Sequence, residues 1–522
     1  MRRSPGNGHN DEWAACGLRN LGWDGGLRVT RPDDPVMIDG GALDCATLAT
    51  VARENARVTV APQALARVGD AHQAALAAVG HQPFYGRTTG VGANNQVLVR
   101  PGSGHGLRLL RSHAGGAGEL APAEVARGAL AIRLNQLAAG GSGADPAWLT
   151  AVATALNAGL VPQFPVLGAI GTGDLTALAA IGLALIGERP WRGPDGPERR
   201  ELLAPAVADG DVLAFLSSNA ATLAQAALAQ QDLAGLLAVE LRIAALSHLA
   251  VAGSAQPYAE PVQAARPHPG QQLTAWQLRA LLGPDVNRPG ARVQDPFGLR
   301  ALPQVHGPAL DALGHLEEVL RIELNAAAEN PLVDVPGHRV WHNGNFHGAY
   351  LGLALDSARL ALCADAALSP ARLAALAEPE RTGLRPFLAV GPDGSSGIMI
   401  LEYTASSALA ELRQLAAPAS LGTTVLSRGT EEHAAFSPQA ARAAARMVPR
   451  LRTLLACELV AAVRALRQRG LEPSAPTLRD WYRQCLADLP GGDEDHPLEA
   501  DIAAAEQVIA AGARHALTSS TE

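Results

Sequence analysis

The chain has 522 residues, of which 48% are hydrophobic and 4% aromatic, so it is long enough to bury a large core and to hold more than one domain. Its formal net charge of −8 argues against a nucleic-acid partner, which would usually need a basic face. Every one of its 42 basic residues is Arg, and the absence of Lys excludes enzymes that form a lysine Schiff base with pyridoxal phosphate or with a carbonyl substrate.

The first 35 residues are polar and Gly-rich, and they are predicted to form a flexible extension without a signal peptide. The longest apolar stretch, Leu175 to Ile186, is too short to cross a bilayer. We therefore expect a soluble, cytoplasmic protein with no membrane partner. Free thiols are expected rather than disulfides or a metal site, because the five cysteines are far apart and form no C-x-x-C pair: Cys16, Cys45, Cys363, Cys457 and Cys485.

The rest of the chain divides into three predicted parts. Residues 36–200 alternate short helical patterns with Gly-rich turns and form a mixed N-terminal domain. Residues 201–470 are predicted to be a central bundle of long helices, and residues 471–522 a smaller helical part.

Apolar periodicity supports the all-α prediction for the central part. Ala and Leu, which favour helices, recur throughout the chain. Leu313, Leu316, Leu320 and Leu324 line one face of a helix. Similar runs predict long helices at 220–252, 347–376, 403–417 and 437–468.

Two motifs in the N-terminal domain carry polar residues that a packed bundle does not need. Tyr85 begins the segment Tyr-Gly-Arg-Thr-Thr-Gly-Val-Gly, whose glycines allow a tight or mobile loop. Its hydroxyl either approaches a substrate there or simply packs in a surface turn. His113, in Ser-His-Ala-Gly, is either a catalytic group or a structural hydrogen-bonding residue.

A third motif, Gly-Ala-Ile-Gly-Thr-Gly-Asp-Leu, ends at Leu175, directly ahead of the apolar helix. Its glycines suggest a close approach of the backbone, and Thr172 or Asp174 is expected to cap the helix.

The last two motifs lie in the central part. The segment Gln-Asp-Pro-Phe-Gly-Leu-Arg begins at Gln294 and ends at Arg300. Arg300 either pairs with a substrate carboxylate or forms a structural ion pair. The segment Asn-Gly-Asn-Phe-His ends at His347, and it is considered together with Glu411 and with Glu431-Glu432-His433.

In their order and spacing these five segments resemble the aromatic amino-acid ammonia-lyase family, which includes the histidine and phenylalanine ammonia-lyases. The resemblance extends from about Val36 to about Ala511. It implies an all-α fold with a long central helix bundle of the fumarase/aspartase-like type. It also implies a homotetramer whose active sites draw residues from several subunits.

The resemblance further implies that no external cofactor or metal is needed. In the family a tripeptide, usually Ala-Ser-Gly, cyclises and loses water to form a methylidene-imidazolone electrophile. Here that tripeptide reads Gly171-Thr172-Gly173. The chemistry is elimination of ammonia from an amino acid, or the related 2,3-aminomutase reaction, and Tyr85 is the base implied for it.

The same resemblance assigns the remaining roles. Arg300 binds the substrate carboxylate, and Phe346 packs beside the electrophile. Ser-His together with a Glu is similar to the histidine branch, because a carboxylate can bind an imidazole N–H. Histidine, or another imidazole-bearing or basic amino acid, is therefore the expected substrate. The implied catalytic positions also include Phe297 and Glu431, and the implied substrate-binding positions are His113, Ser217, Asn219, Gln294, Arg300, Phe346 and Glu411.

Departures from the family pattern cluster on the electrophile. Gly171 and Thr172 replace Ala and Ser, so the Thr hydroxyl can still be eliminated but the product carries an extra methyl. Ser217 stands where the family keeps an Asn, and Asn219 can substitute only if the turn shifts. Phe297 replaces a Tyr. Thr430 replaces a Gln.

Three functions remain open at this point. The first is an ammonia-lyase or aminomutase that makes its electrophile from Thr172. The second is an enzyme that uses the same pocket without the electrophile for another elimination, addition or condensation. The third is a non-catalytic binding protein on the lyase scaffold, although Tyr85 and Arg300 would then serve no purpose.

Overall fold

The computed structural model describes residues 35–100, 102–193, 196–198 and 207–519. Apart from its last residue, the extension predicted at 1–35 lies outside the described residues.

Helices make up most of the described residues, which confirms the all-α prediction. In the first half of the chain they are α1 (Cys45–Arg53), α2 (Pro62–Ala78), α3 (His105–His113), α4 (Ala123–Ala138), α5 (Pro146–Asn157), α6 (Leu175–Leu185), α7 (Asp211–Leu216) and α8 (Ala220–Ala250). In the second half they are α9 (Glu260–Ala264), α10 (Pro269–Leu282), α11 (Phe297–Arg300), α12 (Leu302–Glu323), α13 (Ala349–Ala366), α14 (Leu368–Ala377), α15 (Pro379–Thr382), α16 (Met399–Leu415), α17 (Ser437–Arg469), α18 (Pro476–Asp488) and α19 (Glu499–Ser519).

Short strands connect these helices, mainly in the predicted N-terminal domain. They are β1 (Val36–Ile38), β2 (Val58–Val60), β3 (Ala117–Leu120), β4 (Val161–Pro162), β5 (Pro165–Leu167), β6 (Trp191–Gly193), β7 (Gly196–Glu198), β8 (Leu332–Asp334) and β9 (Arg339–Trp341). β1 pairs in parallel with β2, with Val36 opposite Val58. The pairs β3–β5, β4–β6, β6–β7 and β8–β9 are antiparallel.

The centre of the bundle is α8, whose 31 residues are mostly Ala and Leu and are buried on nearly every face. A helix that is apolar all round is stable only when other helices surround it. α4, α12, α17 and α19 pack against it. α17, with 33 residues, begins at Ser437-Pro438. Pro438 therefore lies in the first turn of the helix, where its missing N–H costs nothing and does not interrupt the helix.

One apolar cluster extends from Val36 to Ala513, so the three predicted parts share a core. A smaller cluster contains Phe84, Val333 and Val340, and it anchors the chain beside Tyr85 to β8 and β9. The proposed boundaries between the three parts remain predictions.

Two helical stretches, Asp211–Ala250 and Ala349–Ala377, are long and apolar enough to span a membrane by length and composition alone. This corrects the expectation that Leu175 to Ile186 is the longest apolar stretch. In the first of them 89% of the apolar window is buried within the fold. Burial in the bundle accounts for that composition, because a central helix has no face left for polar residues.

A group of charged side chains is also buried in the bundle, where α8, α12, α13, α14 and α17 meet. Arg372 donates to Glu240 at 2.9 Å and to Glu458 at 2.7 Å. Nδ1 of His306 lies 2.8 Å from a carboxylate oxygen of Asp365. Buried charges are tolerated only when they are paired in this way, so the group fixes how the helices meet.

Candidate active site

The predicted electrophile tripeptide lies at the start of α6, against the first residues of α17. Gly171 and Gly173 have φ values of +92° and +113°, which residues with a side chain rarely adopt. A Cβ on Gly171 would lie 2.7 Å from Oγ of Ser437 and 3.0 Å from Cβ of Ala435. Glycine therefore fits at this position both in conformation and in space.

Hydrogen bonds hold both ends of the tripeptide. The carbonyl oxygen of Gly171 accepts from the amide of Gly348 at 2.9 Å. The amide of Gly173 donates to Oδ1 of Asn219 at 3.0 Å, and Nδ2 of Asn219 donates to the carbonyl of Phe346 at 2.7 Å. Thr172, between the two glycines, is partly exposed and lines a cavity.

Asn219 thus makes the contact with the tripeptide that the family resemblance implied for the position of Ser217. Ser217 lines the cavity instead, and its hydroxyl accepts from the amide of Asn330 at 3.1 Å. The turn between α7 and α8 therefore directs the side chain of Asn219, and not that of Ser217, at Gly173.

Asp174 does not cap α6 with its side chain, although it occupies the N-cap position. Its carboxylate accepts from the amide and the hydroxyl of Thr222, at 2.7 and 2.8 Å, in the first turn of α8. Burial raises the pKa of Asp174 to about 6. The residue after the tripeptide is therefore tied to the central helix, and the expectation that Thr172 or Asp174 caps the following helix is wrong.

Tyr85 reaches the cavity from the Gly-rich loop. Its phenolic oxygen accepts from the amide of Gly92 at 2.6 Å, and its own amide donates to Nε2 of His342 at 3.3 Å. Burial raises the pKa of Tyr85, the hydrogen bond from Gly92 lowers it, and the nearby Glu431 raises it, with a net upward shift. The loop holds the phenol as a hydrogen-bonded, protonated group in the lining of the cavity.

The cavity has a volume of about 1070 Å³ and brings together seven of the predicted site residues. These are Tyr85, His113, Thr172, Gly173, Ser217, Phe346 and Glu431.

Imidazoles and carboxylates give this cavity its polar lining. Burial lowers the pKa of His113, whose Nδ1 lies 3.0 Å from the carbonyl of Leu109, so this ring is neutral near pH 7. Nε2 of His347 lies 3.0 Å from Nδ1 of His433, so one ring of that pair donates and the other accepts. The neutral His113 and this pair of imidazoles offer hydrogen-bonding nitrogens to a polar, ring-bearing side chain.

Four predicted site residues lie away from this cavity within the single chain. Arg300 donates to Oε1 of Gln294 at 2.7 Å, and its guanidinium carbon stacks 4.7 Å from the ring centre of Phe297. Phe297 is 66% exposed. Glu411, on α16, forms an ion pair with Arg450 of α17.

The sequence did not indicate several residues that contact the site. Gly348 and Ser437 contact the tripeptide, while Asn330 and His342 line the cavity. Only Gly348 had a nearby signal, since it directly follows the Gly-Asn-Phe-His motif. The others reach the site from distant parts of the sequence and carry no local pattern.

Comparisons with known proteins agree with this geometry. A family model described as aromatic amino acid lyase matches residues 43–486. The histidine ammonia-lyase of Stigmatella aurantiaca is 35% identical over 501 residues, which cover 91% of this chain and 96% of that protein. Ergothionase from Treponema denticola has a TM-score of 0.85 and 27% identity, covering 92% of this chain and 99% of that one. Tyrosine aminomutase from Streptomyces globisporus has a TM-score of 0.86 and 28% identity, covering 94% and 99%. The chain belongs to the aromatic amino acid lyase family.

Proposed function

We propose that the protein eliminates ammonia from histidine or a related imidazole-bearing amino acid, or moves its amino group as a 2,3-aminomutase, using an electrophile made from Gly171-Thr172-Gly173. The observation that carries this proposal is the pair of hydrogen bonds that fix the tripeptide. Gly171 is held at its carbonyl oxygen and Gly173 at its amide. These are the two groups that ring closure joins, and Thr172 between them has the β-hydroxyl that must leave.

The residues present fit the cyclised group. Both flanking glycines have the positive φ values of a compressed turn, and the cavity wall at Gly171 has no space for a Cβ. Asn219 accepts the amide hydrogen of Gly173 and so polarises the nitrogen that attacks. Once formed, the group supplies an electrophile that turns the substrate amine into a leaving group.

Tyr85 is the proposed base. The amide of Gly92 stabilises the phenolate, while burial keeps the resting phenol protonated and its conjugate base strong. The phenolate takes a proton from the substrate β-carbon. The electrons of that C–H bond form the alkene as the C–N bond breaks, and ammonia departs with the electron pair of the C–N bond.

Histidine is favoured as the substrate by the cavity lining and by the curated relatives. The neutral His113 and the carboxylates of Glu431 and Glu432 can bind the two nitrogens of a substrate imidazole. Eight curated relatives that are 33–37% identical to this chain are histidine ammonia-lyases.

A homotetramer forms part of the proposal. Arg300, Phe297, Gln294 and Glu411 lie outside the cavity of their own chain, so a second copy has to bring them to it if they bind substrate. α13 and α16 also expose large apolar side chains that a neighbouring subunit would cover. These are Tyr350, Leu353, Leu360, Ile400 and Tyr403.

A cytoplasmic location is also part of the proposal. Four cysteines lie in the described residues, and all four are free thiols: Cys45, Cys363, Cys457 and Cys485. Free thiols are typical of a reducing compartment. Cell fractionation of the producing organism tests this directly.

The second candidate is an enzyme that uses this cavity without the electrophile. The β-branched Thr172 favours it, because such a residue resists a compressed turn. The similarity to an ergothionase also favours it, since it shows that the fold serves substrates other than the common aromatic amino acids.

Mass spectrometry separates these candidates, including a binding protein without activity. The proposal expects the purified chain to be lighter by two water molecules, with the loss in the peptide that contains Thr172, and to convert histidine to its acrylate or its β-amino isomer. An unmodified chain that degrades histidine or ergothioneine would support the second candidate. An unmodified chain that only binds these compounds would support the third.

A further inference from the structure

Ser437, the first residue of α17, lies against two backbone groups of the site. A Cβ built on Gly171 would lie 2.7 Å from its hydroxyl oxygen, and a Cβ built on Gly348 would also lie 2.7 Å from it. The hydroxyl therefore fills the space between these two glycines. Ser437 is completely buried.

This hydroxyl has no hydrogen-bond partner among the described residues. An unpaired polar group in the interior is unfavourable, and most buried hydroxyls find a partner. Its place beside the tripeptide suggests that the partner appears only during a reaction there.

The carbonyl of Gly171 is the group that changes in ring closure. The nitrogen of Gly173 adds to the Gly171 carbonyl carbon, and negative charge develops on the oxygen that already accepts from Gly348 at 2.9 Å. That oxygen leaves as water with the amide protons of Gly173 and Thr172, and the Thr172 nitrogen becomes doubly bonded to the former carbonyl carbon. The hydroxyl and the α-hydrogen of Thr172 leave as the second water, so no oxidant or reductant is needed.

We propose that the Ser437 hydroxyl and the Gly348 amide together stabilise the negative charge that develops on the Gly171 carbonyl oxygen during ring closure. The proposal rests on the proposed function, in that it requires the tripeptide to cyclise. A donor that gains its partner only in the transition state lowers the barrier without stabilising the starting state. The N-terminus of α17, a long helix, adds a favourable dipole at the same place.

The proposal also gives a physical reason for Gly171 in place of the usual Ala. An Ala side chain here would occupy the space that the Ser437 hydroxyl fills. In this chain the smaller residue at 171 and the hydroxyl at 437 form a matched pair.

The experiment follows water loss after a short pulse of cell-free synthesis, using intact and peptide mass. Ser437→Ala keeps the Cβ and removes only the hydroxyl, so we expect ring closure about 100-fold slower than in the wild type. Ser369→Ala is the matched control, because Ser369 is equally buried and unpaired but lies in α14, outside the residues that contact the tripeptide. It should lose water at the wild-type rate, and thermal unfolding of each variant reports whether it is folded.

A second variant covers the case in which Ser437→Ala folds poorly. Ser437→Gly also removes the hydroxyl and adds no atom beside Gly171. The folded part of this variant should close the ring as slowly as Ser437→Ala, because the hydroxyl is again missing.

The outcomes separate this proposal from the proposed function. Ring closure at the wild-type rate in Ser437→Ala, or in folded Ser437→Gly, would overturn the role of Ser437 and leave the proposed function intact. A wild-type chain that never loses water would overturn both.

Discussion

Asn219 accepts a hydrogen bond from the amide of Gly173, with 3.0 Å between the side-chain oxygen and the backbone nitrogen. The same side chain donates to the carbonyl of Phe346 at 2.7 Å. It therefore links Gly173, whose nitrogen attacks in the proposed ring closure, to the segment that carries Phe346, an aromatic residue in the cavity lining.

Asn219→Ala should slow water loss from the tripeptide and lower the free energy of unfolding by about 1 to 3 kcal/mol, since a buried amide and a carbonyl both lose their partner. Intact mass and urea unfolding measure the two effects. Ser217→Ala is the control, because Ser217 lines the cavity but bonds only Asn330. If Asn219→Ala lost water as fast as the control, the contact with Gly173 would have no part in ring closure.

Tyr85→Phe should lower kcat by about 100- to 10,000-fold if the phenol is the base. Water loss should be unaffected, because the hydrogen bonds that hold Gly171 and Gly173 come from Gly348 and Asn219, whereas the phenol is bound by Gly92. Initial rates on histidine and the intact mass of the same sample test both statements. Full activity in this variant would remove Tyr85 from the mechanism.

Arg300→Ala and Tyr85→Phe should each be nearly inactive alone yet regain activity when the two variants are produced together. The reason is that Arg300 lies away from the cavity of its own chain, so mixed assemblies would contain some sites with both residues intact. The measurement is the rate on histidine of co-expressed, differently tagged chains purified through both tags. Mixed assemblies as inactive as each variant alone would show that Arg300 does not act across subunits.

The free energy of unfolding that Glu240 and His306 contribute should fall as the pH rises from the ordinary pKa of Glu240, 4.5, through its folded pKa of about 8. Burial and the neighbouring Asp365 raise the pKa of Glu240 above its ordinary value of 4.5. Burial lowers the pKa of His306, but Asp365 and Glu240 outweigh it and the net shift is above 6.5. The folded state therefore binds these protons more tightly than the unfolded state. The stability they contribute is complete below the ordinary pKa values and is lost as the pH rises through the folded ones.

Urea unfolding at a series of pH values tests this dependence. Glu240→Gln should flatten this decline, because the side chain no longer titrates. Glu472→Gln is the control, since Glu472 is an exposed carboxylate that pairs with Arg483 and should leave the decline unchanged. An equally steep decline in Glu240→Gln would show that this carboxyl group is not responsible.

The long helices could be predicted from the sequence because their signal is local. The run at 220–252 corresponds to Ala220–Ala250, and the run at 437–468 to Ser437–Arg469. In both, apolar residues recur along one chain segment, and the burial of those residues is what makes the helix stable.

The details of the site could be predicted only in part, because they depend on contacts between distant segments. The tripeptide and Tyr85 were recognisable from their motifs. The choice between Ser217 and Asn219 depended on the direction of one turn, and the side chain of Asp174 bonds the first turn of α8 instead of capping α6. Ser437 is a serine at the start of a helix, where the residue type is common, so nothing in the sequence distinguished it.

The contacts on the tripeptide have a consequence for when the chain matures. Asn219, Gly348 and Ser437 belong to three segments that meet only after α6, α8 and α17 have packed together. A nascent or misfolded chain lacks all three contacts and would keep its Thr172 hydroxyl. The missing waters, once lost, cannot be regained by unfolding, so they would form a permanent chemical record that a given molecule has reached its native state at least once.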